Sequence, residues 1–118
     1  MPGSPFQDDS REQSHCKLLA DEALQIRQII QTIEKNIENQ KKEIVRSENS
    51  IQLLRQSMTE ENRQELEQEI QYIKQQLDVF KKLISSQKRE LEKNRNSLGN
   101  MRREYNYLRC QRFTPLRF

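Results

Sequence analysis

The stretch LRQSMTEENRQEL, residues 54–66, decides whether this chain forms one continuous rod or turns back on itself. It contains neither Gly nor Pro, so nothing in its backbone chemistry prevents a helix from running straight through. The apolar residues on either side give the answer, because they repeat with a heptad period that changes phase here.

Two heptad series flank this stretch. In the first, residues at a and d positions recur in alternating steps of three and four from Cys16 to Met58; in the second they recur from Leu66 to Leu108. Both patterns are typical of coiled-coil helices. The predicted apolar seam consists of Leu19, Ile26, Ile30, Ile33, Ile37, Ile44, Ile51, Leu54, Leu66, Ile70, Ile73, Leu77, Phe80, Ile84, Leu91 and Leu98.

The two series are out of phase. The last a position of the first series is Met58 and the first of the second is Arg63, five residues later where the repeat requires seven. At about 3.5 residues per turn, this shift leaves the two stripes roughly 150° apart. That angle is far larger than the offset that a single stutter or stammer causes. Ser57 and Glu60, spaced as S-x-x-E, and Thr59 are candidate caps for a new helix. The change of phase therefore favours a turn.

The charge distribution also favours a chain that folds back. Residues 1–80 hold 10 Lys and Arg against 15 Asp and Glu, a net charge of −5, whereas residues 81–118 hold 11 against 3, a net charge of +8. An antiparallel hairpin places the acidic start beside the basic end. A parallel dimer would place the basic end beside its own copy.

The sequence therefore predicts an all-α fold in which two long helices form an antiparallel coiled-coil hairpin. The alternative is a long parallel coiled-coil rod with a phase break near residues 57–60. The predicted boundaries are a disordered lead-in at 1–12, a coiled-coil region at 13–108 and a basic, aromatic tail at 109–118. Within the coiled coil we expect helix 1 at about 13–56, the turn at about 57–60 and helix 2 at about 60–108. Registers in which the numbers of opposing residues sum to 117 or to 124 both fit the heptads.

Polar residues interrupt both series, and they have two interpretations. In the first, they select register and partner, as buried polar residues do in other coiled coils. In the second, they lie at a partly solvated seam and only lower its stability. These residues are Gln40, Ser47, Gln87 and Asn94.

Further apolar residues fall outside the seam and widen it toward the face of a bundle helix. They are Leu18, Ile29, Val45, Leu53, Tyr72, Val79 and Leu83. They predict association with further protein helices, either from a second copy or from a different coiled-coil subunit.

The C-terminal tail interleaves basic and aromatic side chains. It is interpreted either as a docking segment, with aromatic anchors and steering cations, or as a ragged terminus. The residues of the candidate docking tail are Arg109, Arg112, Phe113, Arg117 and Phe118.

No residue pattern predicts catalysis, a cofactor or a metal. His15 is the only histidine, and the sequence has neither a Gly-rich phosphate loop nor a nucleophile paired with a base. Cys16 and Cys110 lack metal-site spacing and would approach each other at the open end of a hairpin. A disulfide between them is the alternative, and free thiols in a reducing compartment are the expectation. The chain is therefore expected not to be an enzyme.

These observations predict an intracellular scaffolding function. We expect a coiled-coil interaction protein in a larger cytoskeletal, centrosomal or tethering assembly. No secretory signal or transmembrane segment is recognised, and the expected location is the cytoplasm, with cytoskeletal association as an option. The alternative is an electrostatic binder of nucleic acid or anionic membrane through residues 81–118, although no dense basic block precedes either heptad series.

Overall fold

The computed structural model describes residues 5–113, with side chains described from residue 10. Helix α1 spans Pro5–Gln56, helix α2 spans Arg63–Tyr107, and a single 3-10 turn spans Cys110–Arg112. α1 and α2 pack on each other as an antiparallel hairpin, which confirms the predicted fold. The alternative of a long parallel rod is wrong, because the two halves of one chain are each other's packing partners.

The N-terminal boundary differs from the prediction. α1 begins at Pro5, whereas the sequence predicted a lead-in at 1–12 and a helix start at about 13, and residues 1–4 lie outside the described part. Proline suits the first helical position because its ring fixes a helical φ and the missing N–H has no helical partner there.

The turn occupies residues 57–62, two residues longer than predicted. The Thr59 N–H donates to Asn62 Oδ1 at 2.6 Å and the Asn62 N–H donates to Thr59 Oγ1 at 3.4 Å, which is the reciprocal arrangement of a capping box. Asn62 Nδ2 also donates to the Ser57 carbonyl at 3.1 Å. Thr59 and Asn62 therefore hold the turn, in place of the predicted pair Ser57 and Glu60.

Replacing Asn62 by alanine should lower the free energy of unfolding by about 1–2 kcal/mol, because the two hydrogen bonds of its side chain, with the Thr59 N–H and the Ser57 carbonyl, are lost together. Thermal unfolding followed by circular dichroism measures the change. Asn49→Ala is the matched control, since Asn49 is exposed in the middle of α1. Equal midpoints for the two variants would contradict the capping role.

The chain divides into two compact units, and both helices contribute to each. The terminal unit comprises Met1–Thr32 with Leu91–Phe118, and the turn unit comprises Ile33–Glu90. In the terminal unit, Cys16 and Leu19 cluster with Tyr105 and Cys110, and half-buried Met101, Leu108 and Phe113 pack against them. In the turn unit, Ile51 clusters with Ile70 and Leu77, bordered by Ile44, Leu54, Met58 and Ile73.

A disulfide between Cys16 and Cys110 selects the register of the terminal unit. Their Cα atoms are 5.3 Å apart. In the register summing to 124, Cys16 lies opposite Leu108, two residues before its partner. In the register summing to 117 it lies opposite Met101, about 13 Å of helical rise from residue 110. The disulfide is therefore compatible only with the register in which opposing residue numbers sum to 124. In the turn unit, 124 places Ile51 opposite Ile73, midway between its cluster partners Ile70 and Leu77.

Arg109 ends α2 and redirects the chain. Its φ of 54° and ψ of 41° make it the one described non-glycine residue with a positive φ. A single left-handed residue just past a helix is a common C-terminal cap, although glycine usually fills it because a side chain adds strain. In the 3-10 turn that follows, Cys110 lies against α1, where the disulfide forms.

Candidate interaction surfaces

The predicted apolar seam lies between the two helices. Each of its residues is buried or half-buried, with Ile33, Ile37, Ile70 and Leu77 among the most enclosed. Sequence reasoning left Ala20 out of the seam, yet its side chain is buried too. The sequence feature that could have predicted this burial is the small side chain of Ala20 directly after Leu19, because a small side chain allows close approach of the second helix.

The four polar seam residues are all half-buried, and two of them have an enclosed side-chain oxygen without a hydrogen-bond donor. The side-chain oxygens Oε1 of Gln40 and Gln87 are enclosed and accept no hydrogen bond from any described atom. Both belong to the turn unit. An enclosed acceptor without a donor costs free energy, so these glutamines weaken the unit that contains them.

The cysteine prediction is wrong. Cys16 and Cys110 are not free thiols but form a disulfide, and both are completely buried. The bond joins residues 94 apart in sequence. The physical reason is the end of α2 before the second cysteine: the left-handed residue Arg109 precedes the 3-10 turn in which Cys110 lies against α1.

Polar pairs flank the disulfide. His15 Nε2 lies 2.9 Å from Glu104 Oε1, and the Arg112 guanidinium donates to the Glu12 carboxylate. The second contact pairs the acidic start of the chain with its basic end, as the charge distribution predicted. The exposed position of these side chains makes each pair worth about 1 kcal/mol or less.

The start of the candidate docking tail folds against its own chain. Phe113 packs on the cluster around the disulfide, and the Arg112 guanidinium lies 4.4 Å from the centre of its ring. Arg109 forms the helix cap described above. Arg117 and Phe118 lie outside the described residues, so docking by the tail stays a prediction.

The apolar residues assigned outside the seam are all exposed. The exposed fraction is 61% for Leu18, 63% for Leu53, 61% for Tyr72 and 63% for Val79, and Ile29, Val45 and Leu83 are exposed as well. Leu24 and Tyr107 join them. The hairpin's own packing therefore leaves these side chains uncovered.

Neither a membrane span nor a metal cluster is found in the described part of the chain. Neither helix contains a sufficiently long apolar segment to cross a bilayer. Among the same residues, no group of three or more His, Cys, Asp or Glu side chains is placed to hold a metal ion.

Comparison with protein-family models, curated proteins and solved structures found no significant match.

Proposed function

We propose that this chain is a non-enzymatic coiled-coil interaction and scaffolding protein that binds further protein helices within a larger assembly. One observation carries the proposal. The hairpin buries its seam internally and still exposes a second set of apolar side chains on helical surfaces. Exposed apolar residues that cluster on one face are typical of interaction sites, whereas scattered ones are ordinary.

We propose an assembly of the cytoskeletal, centrosomal or tethering type. Long helices that expose heptad-spaced side chains fit the coiled-coil subunits of cytoskeletal, centrosomal or tethering complexes. A cytoplasmic location was expected partly from free thiols, and the disulfide removes that support. Disulfides persist mainly in oxidising compartments, so the bond counts against a stable cytosolic form.

Sedimentation and cross-linking mass spectrometry test the proposal. We expect the oxidised full chain to enter a complex larger than its own mass in lysate, with cross-links to helical segments of a partner or of a second copy. The complex should survive about 0.5 M salt, because apolar packing resists screening. A chain that remains alone under all conditions would overturn the proposal.

The same salt series addresses electrostatic binding through residues 81–118. Retention on DNA or anionic vesicles that falls steeply with salt, and that Arg102→Gln/Arg103→Gln abolishes, would favour that alternative function. For the scaffolding function we expect this double variant to leave the protein complex intact.

A further inference from the structure

Gly99 lies inside α2, where neither the backbone nor the packing of the chain requires a glycine. Its φ is not positive, and a Cβ atom added there would meet nothing outside the local backbone of α2 within 4 Å. A glycine within a helix lowers its stability relative to alanine, because the unfolded chain has more conformational freedom to lose. Such departures from local stability are typical of functional sites.

The missing side chain leaves a shallow pocket on the surface of α2. It is lined by Arg95, Leu98, Gly99 and Arg102, and its volume is about 140 Å³. A cavity of about 150 Å³ accepts benzene, so this pocket has room for one large apolar side chain. Arg95, Gly99 and Arg102 share one face of α2, because residues three, four and seven positions apart are neighbours on a helix surface. The pocket is therefore a gap between two guanidinium side chains, with half-buried Leu98 as its apolar wall.

The terminal unit, which contains this pocket, is basic. Residues 10–32 and 91–113, whose side chains are described, hold nine Lys and Arg against five Asp and Glu, a net charge of +4 with His15 neutral. This count includes every face of both helices. Glu92, one heptad before Gly99, is the one carboxylate of α2 within the terminal unit on the face of the pocket.

The two arginines of the pocket differ in their partners. Arg95 has a partner within the chain, whereas the Arg102 guanidinium has no hydrogen bond or ion pair with a described residue. Arg102 is also exposed. Its charge is therefore available to an external anion.

We propose that the pocket at Gly99 receives one apolar side chain of an acidic amphipathic helix from a partner protein, and that Arg102 contacts a carboxylate of that helix. This inference rests on the proposed function and specifies its partner. A helix lying along α2 suits the site because its side chains recur at the heptad interval of about 10.5 Å that also separates Arg95 from Arg102. The glycine allows close approach, and acidic flanks complement the positive charge of the terminal unit.

Nucleic acid fits the pocket less well than a protein helix does. A phosphate backbone would contact the arginines, as it contacts basic side chains in general. It has no apolar group to fill the space that Gly99 leaves beside Leu98. The combination of an apolar gap with flanking cations therefore favours a helix that carries both apolar and acidic side chains.

The test uses the oxidised full chain and two labelled synthetic helices of about four heptads. Both peptides carry Leu at a and d; one has Glu at e and g and the other has Lys. In about 0.15 M salt, we expect fluorescence anisotropy to show that the Glu peptide binds at least about tenfold more tightly than the Lys peptide. Gly99→Leu should weaken the Glu peptide by about tenfold or more, because the new side chain fills the pocket.

Ser97→Leu is the matched control. Ser97 is exposed on α2, two residues from Gly99 and roughly 160° away around the helix. We expect this control to bind the Glu peptide like the parent chain. Circular dichroism should show at least the parent's helicity for both leucine variants, since leucine is the better helix former, so unfolding would not explain a loss of binding.

Arg102→Gln tests the contact with a carboxylate. We expect it to weaken the Glu peptide by about two- to fivefold, because an exposed ion pair contributes only a small part of the binding. A change of this size leaves the lysate complex of the Arg102→Gln/Arg103→Gln variant intact. Unchanged affinity for the Glu peptide would contradict the contact.

Gly99→Ala tests the premise that the fold does not need this glycine. The added methyl group meets nothing, so the variant should raise the thermal unfolding midpoint by about 4 °C. A midpoint equal to or below that of the parent would contradict the premise.

Three further results would overturn the inference. The first is equal binding of the two peptides, or equal binding of the Glu peptide to the parent and to Gly99→Leu. The second is a DNA duplex that binds the parent more tightly than the Glu peptide does and that Gly99→Leu leaves unaffected, which would assign the arginines to nucleic acid. The third is self-association of the chain that Gly99→Leu abolishes, which would assign the pocket to a second copy.

Failure of this inference is distinguishable from failure of the proposed function. If Gly99→Leu enters the same lysate complex as the parent, the pocket is not the binding surface, although the scaffolding function stands. If the parent enters no complex, the scaffolding function itself fails.

Discussion

Removing the Cys16–Cys110 disulfide should lower the free energy of unfolding by about 4 kcal/mol. The bond closes a loop of 94 residues in sequence, and restricting so long an unfolded chain is worth roughly 4–5 kcal/mol by the chain-entropy estimate. Cys16→Ala/Cys110→Ala and chemical reduction of the parent should give similar losses in denaturant unfolding. Reduction should leave the unfolding of the alanine variant unchanged, which makes that variant the control for the reductant.

The loss of stability on removal of the disulfide should be greatest in the terminal unit. Cys16, Leu19, Tyr105 and Cys110 form one cluster there, so opening the bond exposes a connected core. Hydrogen exchange is expected to accelerate in residues 10–32 and 91–113 before it does in residues 33–90, since local stability follows local contacts. Unchanged unfolding and exchange after reduction would contradict a stabilising role for the bond.

Replacing both Gln40 and Gln87 by leucine should raise the free energy of unfolding by about 2–5 kcal/mol. Each Oε1 is enclosed without a donor, an arrangement that costs about 1–3 kcal/mol, and leucine adds apolar burial at d positions that favour it. Thermal unfolding of the disulfide-bonded chain measures the gain.

The matched control is Gln52→Leu/Gln75→Leu, which makes the same chemical change at exposed positions on the same two helices. We expect this control to unfold within about 0.5 kcal/mol of the parent. A loss of stability in the Gln40→Leu/Gln87→Leu variant would show that the two amides have partners in solution.

The helices and their direction were predictable because they depend on local chemistry and on period. The heptads set the buried stripe, and the phase change at Met58 set the place of the turn. The absence of glycine there was no obstacle, because no described residue of the turn has a positive φ. Thr59 and Asn62 hold the turn through side-chain hydrogen bonds. The usual capping-box pattern has Glu or Gln at the position of Asn62, so that pattern does not identify this pair.

The disulfide was harder to predict because it depends on register and on how α2 ends. Only the register summing to 124 brings Cys16 near Leu108, and the heptads allow a second register. Arg109 then ends the helical path of α2 in a left-handed conformation that arginine rarely adopts, so residue propensities do not predict it. The early start at Pro5 was missed for a related reason: two prolines and a glycine near the terminus suggested disorder more strongly than the helix-start role of proline suggested order.

The covalent link across the open end also governs whether protomers can exchange arms. A turn without a positive-φ residue, held by a few side-chain bonds, is a hinge that can straighten, after which two molecules would exchange helices into an intertwined pair. A chain whose two helices are joined by the disulfide near their free ends cannot exchange helices in this way. Oxidation state thus separates a self-contained hairpin from one competent to interlock with its copy.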